Sequence, residues 1–267
     1  MKIVTWNVNS VRLRLERLLA LLVRHAPDVV CLQELKAQEA DFPRGPLEAA
    51  GYQAAVFGQK TYNGVAILAR QAIEEVERGF PGDPLPEQAR VLSATIGGLR
   101  VVNLYVVNGE SVGSEKYALK LRWLAALEAW LRGRPRAADP LLLVGDFNIA
   151  PDDRDVYDPE LWRGRVLCSE AERAGLRALE GLGFVDLLRA RTAGPGIYTW
   201  WDYRGGAFGR GLGLRIDLAL GTAPVAARCT EVVVDRDERK ESSGPGKPSD
   251  HAPLVVTLGA SGPEAGS

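Results

Sequence analysis

The stretch LLLVGDFN, residues 141–148, decides the fold prediction, because an unbroken apolar run ends there in a short polar segment. A continuous run of this length is typical of a strand that is buried on both faces. Further apolar and β-branched runs, bounded by polar or turn residues, predict other strands along the chain. They lie at residues 2–6, 28–32, 52–57, 64–69, 91–96, 99–107, 197–201, 214–220, 229–234 and 252–258.

Amphipathic patterns between these runs predict three helices. For the first helix, Ser10 offers an N-cap, an apolar stripe runs over residues 11–22, and Pro27 ends the pattern. The other two helices are predicted at residues 115–132 and at about 169–182. Many strands with few, separated helices favour sheets that pack on each other and carry helices outside. The pattern therefore predicts an α/β fold.

The chain is expected to form one domain over residues 1–258, since no linker rich in proline, glycine or serine divides its middle. Gly97-Gly98 lies between two predicted strands and indicates a hairpin, because both residues tolerate a positive φ. Residues 240–248 are expected to form a surface loop. The polar, glycine-containing segment 259–267 is expected to be a flexible tail.

The composition is that of an ordinary globular protein and excludes several classes of function. Of the 267 residues, 46% are hydrophobic and 25% are charged, which argues against a disordered chain. The formal charge is −1, so any contact with nucleic acid has to come from a local basic patch or from bound cations. The three cysteines are widely spaced, and the sequence has neither a signal-peptide pattern nor an uncharged run of membrane-spanning length. We therefore expect a soluble, cytoplasmic protein that does not bind membranes.

Polar residues collect at the ends of the predicted strands. Asn7 ends the first strand, Glu34 follows the second, Asp146 follows the apolar run, Asp217 lies inside a later strand, and Asp250-His251 opens the last one. Strand ends of one sheet system can converge on one rim, where ligands and catalytic groups commonly lie. Carboxylate and amide oxygens on such a rim suit a hard divalent cation.

Each of these residues also has a structural interpretation. Asp146 could be a turn residue, and Asn7 could cap the helix that follows it. Asp217 could be a buried carboxylate that holds a backbone loop. A carboxylate inside an apolar strand needs a partner, because burying it unpaired costs several kcal/mol. We expect that partner to be His251, which stands next to an aspartate and between two prolines and is therefore a candidate for acid–base or electrophilic work.

Taken together, these motifs resemble the exonuclease III family of apurinic/apyrimidinic endonucleases, within the endonuclease/exonuclease/phosphatase superfamily. The GDFN and SDH elements mark the superfamily, and the WWDYR and LRID elements are typical of its DNA-repair branch. The matching stretches occur in the family's order and span about residues 1–258. They are WNVN (6–9), LQELK (32–36), GFPGD (79–83), GDFNIAP (145–151), WDYR (201–204), LRID (214–217) and KPSDHAP (247–253). The resemblance implies a four-layer α/β sandwich, two packed mixed sheets flanked by helices, with the active site at one edge.

The resemblance also implies a metal site. By motif position, Glu34 would bind the divalent metal, Mg²⁺ or Mn²⁺, with Asn7 beside it and Asp250 as a further ligand. The requirement for a cation agrees with the charge of the site, because a cluster of carboxylates repels DNA unless a cation lies among them.

Five further positions would carry the hydrolysis if the resemblance holds. Asp146 would orient or deprotonate the attacking water, and Asn148 would hold the scissile phosphate. His251, oriented by Asp217, would contact the phosphate and offset the developing charge, and Tyr105 would stabilise the transition state or the leaving group. Phosphodiester hydrolysis needs these three contributions: an in-line water, charge neutralisation and help for the departing oxygen.

Contacts with DNA are expected from local groups. Lys116 and Lys120 lie four residues apart near a helix N-terminus, where the helix dipole disfavours cations unless a phosphate is close, and the alternative is two solvated lysines. Trp200, Phe208 and Ile216 are expected to form an apolar pocket for a flipped-out baseless sugar, with core packing as the alternative for the tryptophan. The full set of expected DNA contacts is Arg90, Asn108, Lys116, Lys120, Trp200, Arg204, Phe208, Arg215 and Ile216.

Two positions depart from the family's pattern. Val107 stands where the family usually has a proline, which alters the stiffness of the loop after Tyr105, and Gly211 stands where the family tends to have an asparagine.

The leading hypothesis is a monomeric, metal-dependent DNA repair nuclease that cuts duplex DNA 5′ to abasic sites and trims 3′ ends, including 3′ phosphates. The alternatives are a phosphodiesterase or phosphatase of the same fold with a non-DNA substrate, and a DNA-binding module without catalysis.

Overall fold

The computed structural model describes residues 1–134 and 139–260, and its strands and α-helices are bounded as follows. The strands are β1 Lys2–Asn7, β2 Val29–Gln33, β3 Gln53–Phe57, β4 Val65–Ala69, β5 Glu74–Arg78, β6 Val91–Ile96, β7 Leu99–Tyr105, β8 Leu141–Asp146, β9 Val185–Asp186, β10 Asp217–Gly221, β11 Cys229–Val234 and β12 Leu254–Leu258. The helices are α1 Leu15–His25, α2 Arg44–Ala49, α3 Glu115–Arg132, α4 Pro159–Trp162, α5 Glu170–Glu180 and α6 Ala223–Arg228.

Two six-stranded mixed sheets form the centre of the fold, in the orders β11-β12-β1-β2-β4-β3 and β5-β6-β7-β8-β10-β9. The sheets pack face to face, since Val29 and Ile67 of the first lie in one buried cluster with Val101 and Val144 of the second. The outer face of the first sheet packs against α1 and α2. The outer face of the second packs against α3 and α5. The predicted four-layer α/β sandwich is confirmed.

The direction of the strands brings the polar strand ends to one edge. β1 and β2 are parallel, as are β7 and β8, so the carboxyl ends of each pair lie at one edge of their own sheet. The hydrogen bond from Asn7 Nδ2, at the end of β1, to Asp146 Oδ2, at the end of β8, shows that these two edges meet. β10 runs antiparallel to β8 and begins where β8 ends, which sets Asp217 opposite Asp146. The same register sets Tyr105 opposite Asp146 from the other side. Residues from distant parts of the sequence therefore meet beside the end of β8.

Glycines at two places fulfil requirements of the second sheet. The β6–β7 hairpin turns at Gly97-Gly98, with φ angles of 54° and 77°, as the sequence predicts. Gly145 precedes Asp146 in β8 and has a φ of 140°. A β-carbon at Gly145 would lie 1.9 Å from the carbonyl oxygen of Leu104, so only glycine allows β7 and β8 to approach this closely.

The first helix does not begin as predicted. α1 starts at Leu15, and Ser10 does not cap it but lies in a preceding loop with a φ of 91°. The backbone N–H groups of Ser10 and Val11 donate to the carbonyl oxygens of Glu34 and Leu35, at 2.8 and 3.0 Å. These long-range hydrogen bonds hold the segment beside the end of β2 and delay the start of the helix.

The predicted strand at residues 197–201 is wrong, because this segment makes only isolated bridges from Trp200 to Leu214 and His251. The strand predicted at 214–220 begins at Asp217 instead. The sequence analysis also missed the exposed edge strand β5 and the short helices α2, α4 and α6.

Residues 240–248 contain a short 3₁₀ turn, Glu241–Ser243, and are held from beneath by Arg17. This fully buried guanidinium donates to the carbonyl oxygens of Lys240, Glu241, Gly244 and Gly246. Most of the predicted tail, residues 261–267, lies outside the described residues. In the described part of the chain, every helix is too short or too polar to cross a lipid bilayer.

Candidate active site

Asp146, Asp217 and His251 form the buried centre of the polar edge. His251 Nδ1 lies 2.9 Å from Asp217 Oδ2, and His251 Nε2 lies 3.8 Å from Asp146 Oδ2. The three residues are at most 4% exposed. Because Nδ1 is engaged by Asp217, the ring is fixed in orientation with Nε2 facing the space beside Asp146.

The pKa values of both His251 and Asp146 are raised in this centre, for different reasons. Burial alone would lower the pKa of His251, but the negative charges of Asp217 and Asp146 and the hydrogen bond that His251 donates to Asp217 raise it above its usual range. Burial raises the pKa of Asp146, and the charge of Asp217 raises it further, against the opposing charge of His251. At neutral pH the histidine is therefore cationic, and Asp146 is a stronger base than an exposed aspartate.

Amide groups hold Asp146 in place. Asn7, the last residue of β1, donates from Nδ2 to Asp146 Oδ2 at 2.9 Å. The backbone N–H of Asn148 donates to Asp146 Oδ1 at 2.9 Å, and the side-chain Nδ2 of Asn148 donates to Oδ2 at 3.3 Å. Asn148 has a φ of 51°, a left-handed conformation that lets its main chain and side chain face the same carboxylate. Asp146 is thus oriented from both sheets.

Asn108 and Lys120 support Asn148 from behind. Asn108 Nδ2 donates to Asn148 Oδ1 at 2.9 Å. Lys120 Nζ donates to the carbonyl oxygens of Asn108 and Asn148 at 3.0 and 2.7 Å, and it pairs with Glu172 at 2.5 Å. The side chains of this ion pair are fully buried. The expectation that Lys120 contacts DNA is therefore wrong: α5 supplies its counter-charge, and its side chain positions the loops that carry the two asparagines.

Tyr105 ends β7 beside the acidic cluster. Burial raises the pKa of its phenol well above the usual range, and the charges of Glu34 and Asp146 raise it further. The Arg90 guanidinium lies 5.0 Å from the ring centroid, and its Nη1 donates to the Tyr105 carbonyl oxygen at 3.1 Å. Tyr105 consequently keeps its proton and can donate it in a hydrogen bond, while Arg90 holds the ring.

A second set of polar side chains surrounds Glu34, which follows β2 with a φ of 57° and is partly exposed. Lys36 Nζ lies 3.3 Å from Glu34 Oε1 and donates to Asn9 Oδ1 at 2.6 Å. Asn9 Nδ2 and Trp200 Nε1 in turn donate to the two carboxylate oxygens of Asp250, at 2.8 and 3.1 Å. Asn9 and Lys36 were given no role from the sequence. Their places within the WNVN and LQELK stretches were the only signal.

The donor set fits a hard divalent cation. Asp146, Asp217 and His251 offer ligand atoms within 4.8 Å of one another, but a cationic His251 has no nitrogen lone pair to offer, which leaves oxygen donors. Among the described residues, Asp217 Oδ1 is buried and accepts no hydrogen bond. This unsatisfied oxygen and the excess of carboxylates at the edge are what a cation would offset, with Glu34 and Asp250 as the more accessible ligands.

The remaining expected DNA contacts divide by burial. Arg215 is fully buried and pairs with Asp155 at 2.6 Å and Asp186 at 2.8 Å, so the prediction that it contacts DNA is wrong. Its role is to join the segment just before β10 to β9 and to the 3₁₀ turn Asp153–Asp155. Lys116 is exposed and lies 3.2 Å from Glu110. Arg204 is exposed in the loop that follows Trp201.

The expected apolar pocket is not a single cluster. Trp200 packs against a cluster that contains the buried Ile216 and Leu214. Phe208 belongs to another cluster, in which its ring meets Trp201 edge-on at 5.1 Å. The grouping of Phe208 with the other two is therefore wrong, because the hydrogen bonds of the 199–201 segment with Leu214 turn the two tryptophans to opposite sides.

The fold and its acidic, histidine-containing edge define a class of protein, the four-layer α/β hydrolases of phosphate esters. Within that class, the chain belongs to the endonuclease/exonuclease/phosphatase family, whose pattern it matches over residues 4–251.

Three similar proteins show which members of this family the chain resembles in sequence and structure. The chain is 35% identical over 266 residues to exodeoxyribonuclease III of Haemophilus influenzae, which covers 95% of this chain and 98% of that protein. It is similar to the 3′ phosphatase NExo from Neisseria, bound to a product DNA hairpin, with a TM-score of 0.93 at 44% identity over 97% of this chain and 100% of that one. An AP endonuclease from Archaeoglobus fulgidus gives a TM-score of 0.92 at 38% identity, over 97% and 100% of the two chains.

Proposed function

We propose that this protein is a divalent-metal-dependent DNA repair nuclease, with Mg²⁺ or Mn²⁺ as the ion. It hydrolyses phosphodiester bonds of duplex DNA 5′ to abasic sites and also removes nucleotides and phosphates from 3′ ends. The observation that carries the proposal is the convergence of Asp146, His251–Asp217, Tyr105 and Glu34 at one edge of the two sheets. The names of the relatives, an exodeoxyribonuclease III, a 3′ phosphatase and an AP endonuclease, support the choice of DNA as substrate.

In this proposal the metal is held by Glu34 and Asp250, with Asn7 close by. Bound there, a divalent cation supplies charge neutralisation at the phosphate oxygens. The residues of the chain do the rest of the work. Asp146, held by Asn7 and by the backbone of Asn148, orients the attacking water and accepts its proton, for which its raised pKa is suited.

The cationic His251 faces the phosphate through Nε2 and offsets the charge that develops on its oxygens, while Asp217 keeps the ring charged and oriented. Tyr105 flanks Asp146 on the β7 side, whereas Asp217 flanks it on the β10 side. From there Tyr105 donates a hydrogen bond towards the reacting group. Asn148 contacts the phosphate by exchanging its long 3.3 Å bond to Asp146, while Asn108 keeps the amide in place.

The proposal extends to the setting of the enzyme. Residues 1–258 act as one catalytic domain and as a monomer. The exposed Lys116 and Arg204 contact the DNA backbone. The three cysteines are free and buried, which suits a reducing compartment such as the cytoplasm.

A panel of substrates tests the function. Duplex DNA with a tetrahydrofuran abasic analogue, intact blunt duplex, a nicked duplex with a 3′ phosphate, and an inositol phosphate are each incubated with Mg²⁺, Mn²⁺ or EDTA. We expect incision 5′ to the abasic analogue with either metal and no product with EDTA. Hydrolysis of the inositol phosphate with no DNA cleavage would overturn the proposal in favour of the non-DNA alternative.

A matched pair of variants tests the site. His251→Asn should lower turnover on the abasic duplex by on the order of a hundredfold or more. His25→Asn removes the other histidine of the chain, which pairs with Asp235 at the end of α1. It should leave turnover within a few-fold of wild type. Equal rates in the two variants would contradict the assignment of His251.

A further inference from the structure

A cavity lined by cationic side chains lies beside the segment that leads to Asp250 and His251. Its volume is about 510 Å³, and three of its lining side chains are cationic whereas one is acidic. It is lined by Tyr203, Phe208, Arg239, Lys240, Glu241, Ser242, Lys247 and Pro248.

Arg239 lines this cavity and lacks an acidic partner. The residue is only 7% exposed. Its Nε donates to the carbonyl oxygen of Asp250 at 3.2 Å, and its Nη2 donates to that of Trp201 at 3.1 Å. No carboxylate of the described residues lies within ion-pair distance of it, although a buried guanidinium normally has such a partner. An anion in the cavity would supply the missing counter-charge.

Lys247 adds a second available charge. Its Nζ lies 4.3 Å from the centroid of the Tyr203 ring, and the Arg239 guanidinium lies 5.0 Å from the same centroid. Lys247 is exposed and forms no ion pair in the described part of the chain, whereas Lys240 is paired with Asp237 at 2.6 Å. The Tyr203 hydroxyl donates to the Pro248 carbonyl oxygen at 2.8 Å, which fixes the ring beside both cations. Two cations thus converge on one aromatic wall.

We propose that this cavity is a subsite for DNA phosphate. It would bind a phosphodiester group of the cleaved strand other than the group that is hydrolysed. The proposal rests on the proposed nuclease function. It is supported by position, because Arg239 is hydrogen-bonded to the main chain of Asp250, next to His251. A strand with one phosphate at His251 carries a phosphate at every further nucleotide. An anionic group is therefore available to a cationic cavity that lies next to His251.

The salt dependence of DNA binding tests the subsite. The dissociation constant of an abasic-analogue duplex is measured by fluorescence anisotropy with Ca²⁺ at several salt concentrations, for wild type and for Lys247→Met, which keeps the stem over Tyr203 and removes the charge. The slope of log affinity against log salt should become shallower by about 0.9, the value for one lost phosphate contact, with affinity weakened by on the order of three- to tenfold at low salt. Arg132→Met is the control, since it removes an exposed cation at the C-terminal end of α3, the end away from Lys116. The control should keep the wild-type slope.

The outcomes separate the two proposals. A Lys247→Met slope equal to that of wild type, or a change no larger than that of Arg132→Met, would overturn the subsite while wild-type incision of the same duplex left the nuclease function standing. A wild-type protein that neither binds nor incises the duplex would overturn the nuclease function itself, and the subsite with it.

Discussion

Replacing Asp217 with asparagine removes the negative charge beside His251 while keeping the shape of the side chain. The His251 Nδ1 atom lies 2.9 Å from Asp217 Oδ2, and both side chains are buried. Burial by itself lowers the pKa of His251, and the charge of Asp217 is the largest of the influences that raise it. The substitution is therefore expected to lower that pKa.

The size of the effect follows from the distance between the charges. With Nδ1 and Oδ2 in contact at 2.9 Å, the two charges, which are spread over the ring and the carboxylate, lie about 4 Å apart and interact by about 4 kcal/mol at an effective dielectric constant of about 20, which corresponds to about 3 pKa units. Because the proposed mechanism uses the imidazolium form of His251, the alkaline limb of kcat/KM should move to lower pH by up to about 3 units. Above the new pKa, the deficit relative to wild type should grow about tenfold with each pH unit. A folding defect would lower the rate by the same factor at every pH.

The assay is incision of a duplex with a tetrahydrofuran abasic analogue, which is stable in alkali, from about pH 6 to about pH 9. Asp28→Asn is the matched control, since its carboxylate accepts a hydrogen bond of 2.7 Å from the Lys2 backbone at the opposite end of β1. It should keep the wild-type profile. An Asp217→Asn profile with an unmoved alkaline limb would refute the claim that Asp217 keeps His251 charged.

Three other perturbations have outcomes set by the structure. Glu34→Gln should raise the Mg²⁺ concentration for half-maximal activity by tenfold or more, and an unchanged metal titration would exclude Glu34 as a ligand. Glu172→Gln leaves the buried Lys120 without its counter-charge and should cost about 3–5 kcal/mol in urea unfolding, whereas a loss below about 1 kcal/mol would mean that the pair contributes little. Burial raises the pKa of Asp235, but hydrogen bonds from two basic side chains at the end of α1 outweigh this effect and lower the pKa to about 2. The ionised carboxylate therefore stabilises the fold above about pH 4, and this stability is lost as the pH falls towards 2. Asp235→Asn should therefore be less stable than wild type by up to about 2 kcal/mol at neutral pH, with the difference vanishing near pH 2, and a pH-independent difference would contradict the assignment.

Elements with a strong local pattern were predictable from the sequence. β8 follows from its unbroken apolar run, and the predicted bounds of α3 and β6 agree with the structure. The pairing of Asp217 with His251 was also predictable, because a carboxylate inside an apolar strand needs a buried partner. These inferences depend on periodicity and on the cost of burying a charge, which are properties of short segments.

The errors come from contacts between distant segments. The loop around Ser10 is held by the backbone after β2, a contact that no local pattern records. Lys120 and Arg215 are of the residue types that commonly contact DNA. Their partners are instead carboxylates that lie 52 residues away from Lys120 and 60 residues away from Arg215 in the sequence. A cationic side chain in a sequence does not reveal whether its counter-charge is a phosphate or a buried carboxylate.

The central claim is that Asp146 activates the attacking water at this edge, and the single-turnover cleavage rate of Asp146→Asn on the abasic-analogue duplex tests it most directly. The asparagine keeps the side-chain shape and can still accept the hydrogen bond from Asn7, so the fold and DNA affinity should remain close to those of wild type. The cleavage rate should fall by on the order of a hundredfold or more. A rate within a few-fold of wild type, in a folded variant that binds DNA normally, would contradict the account.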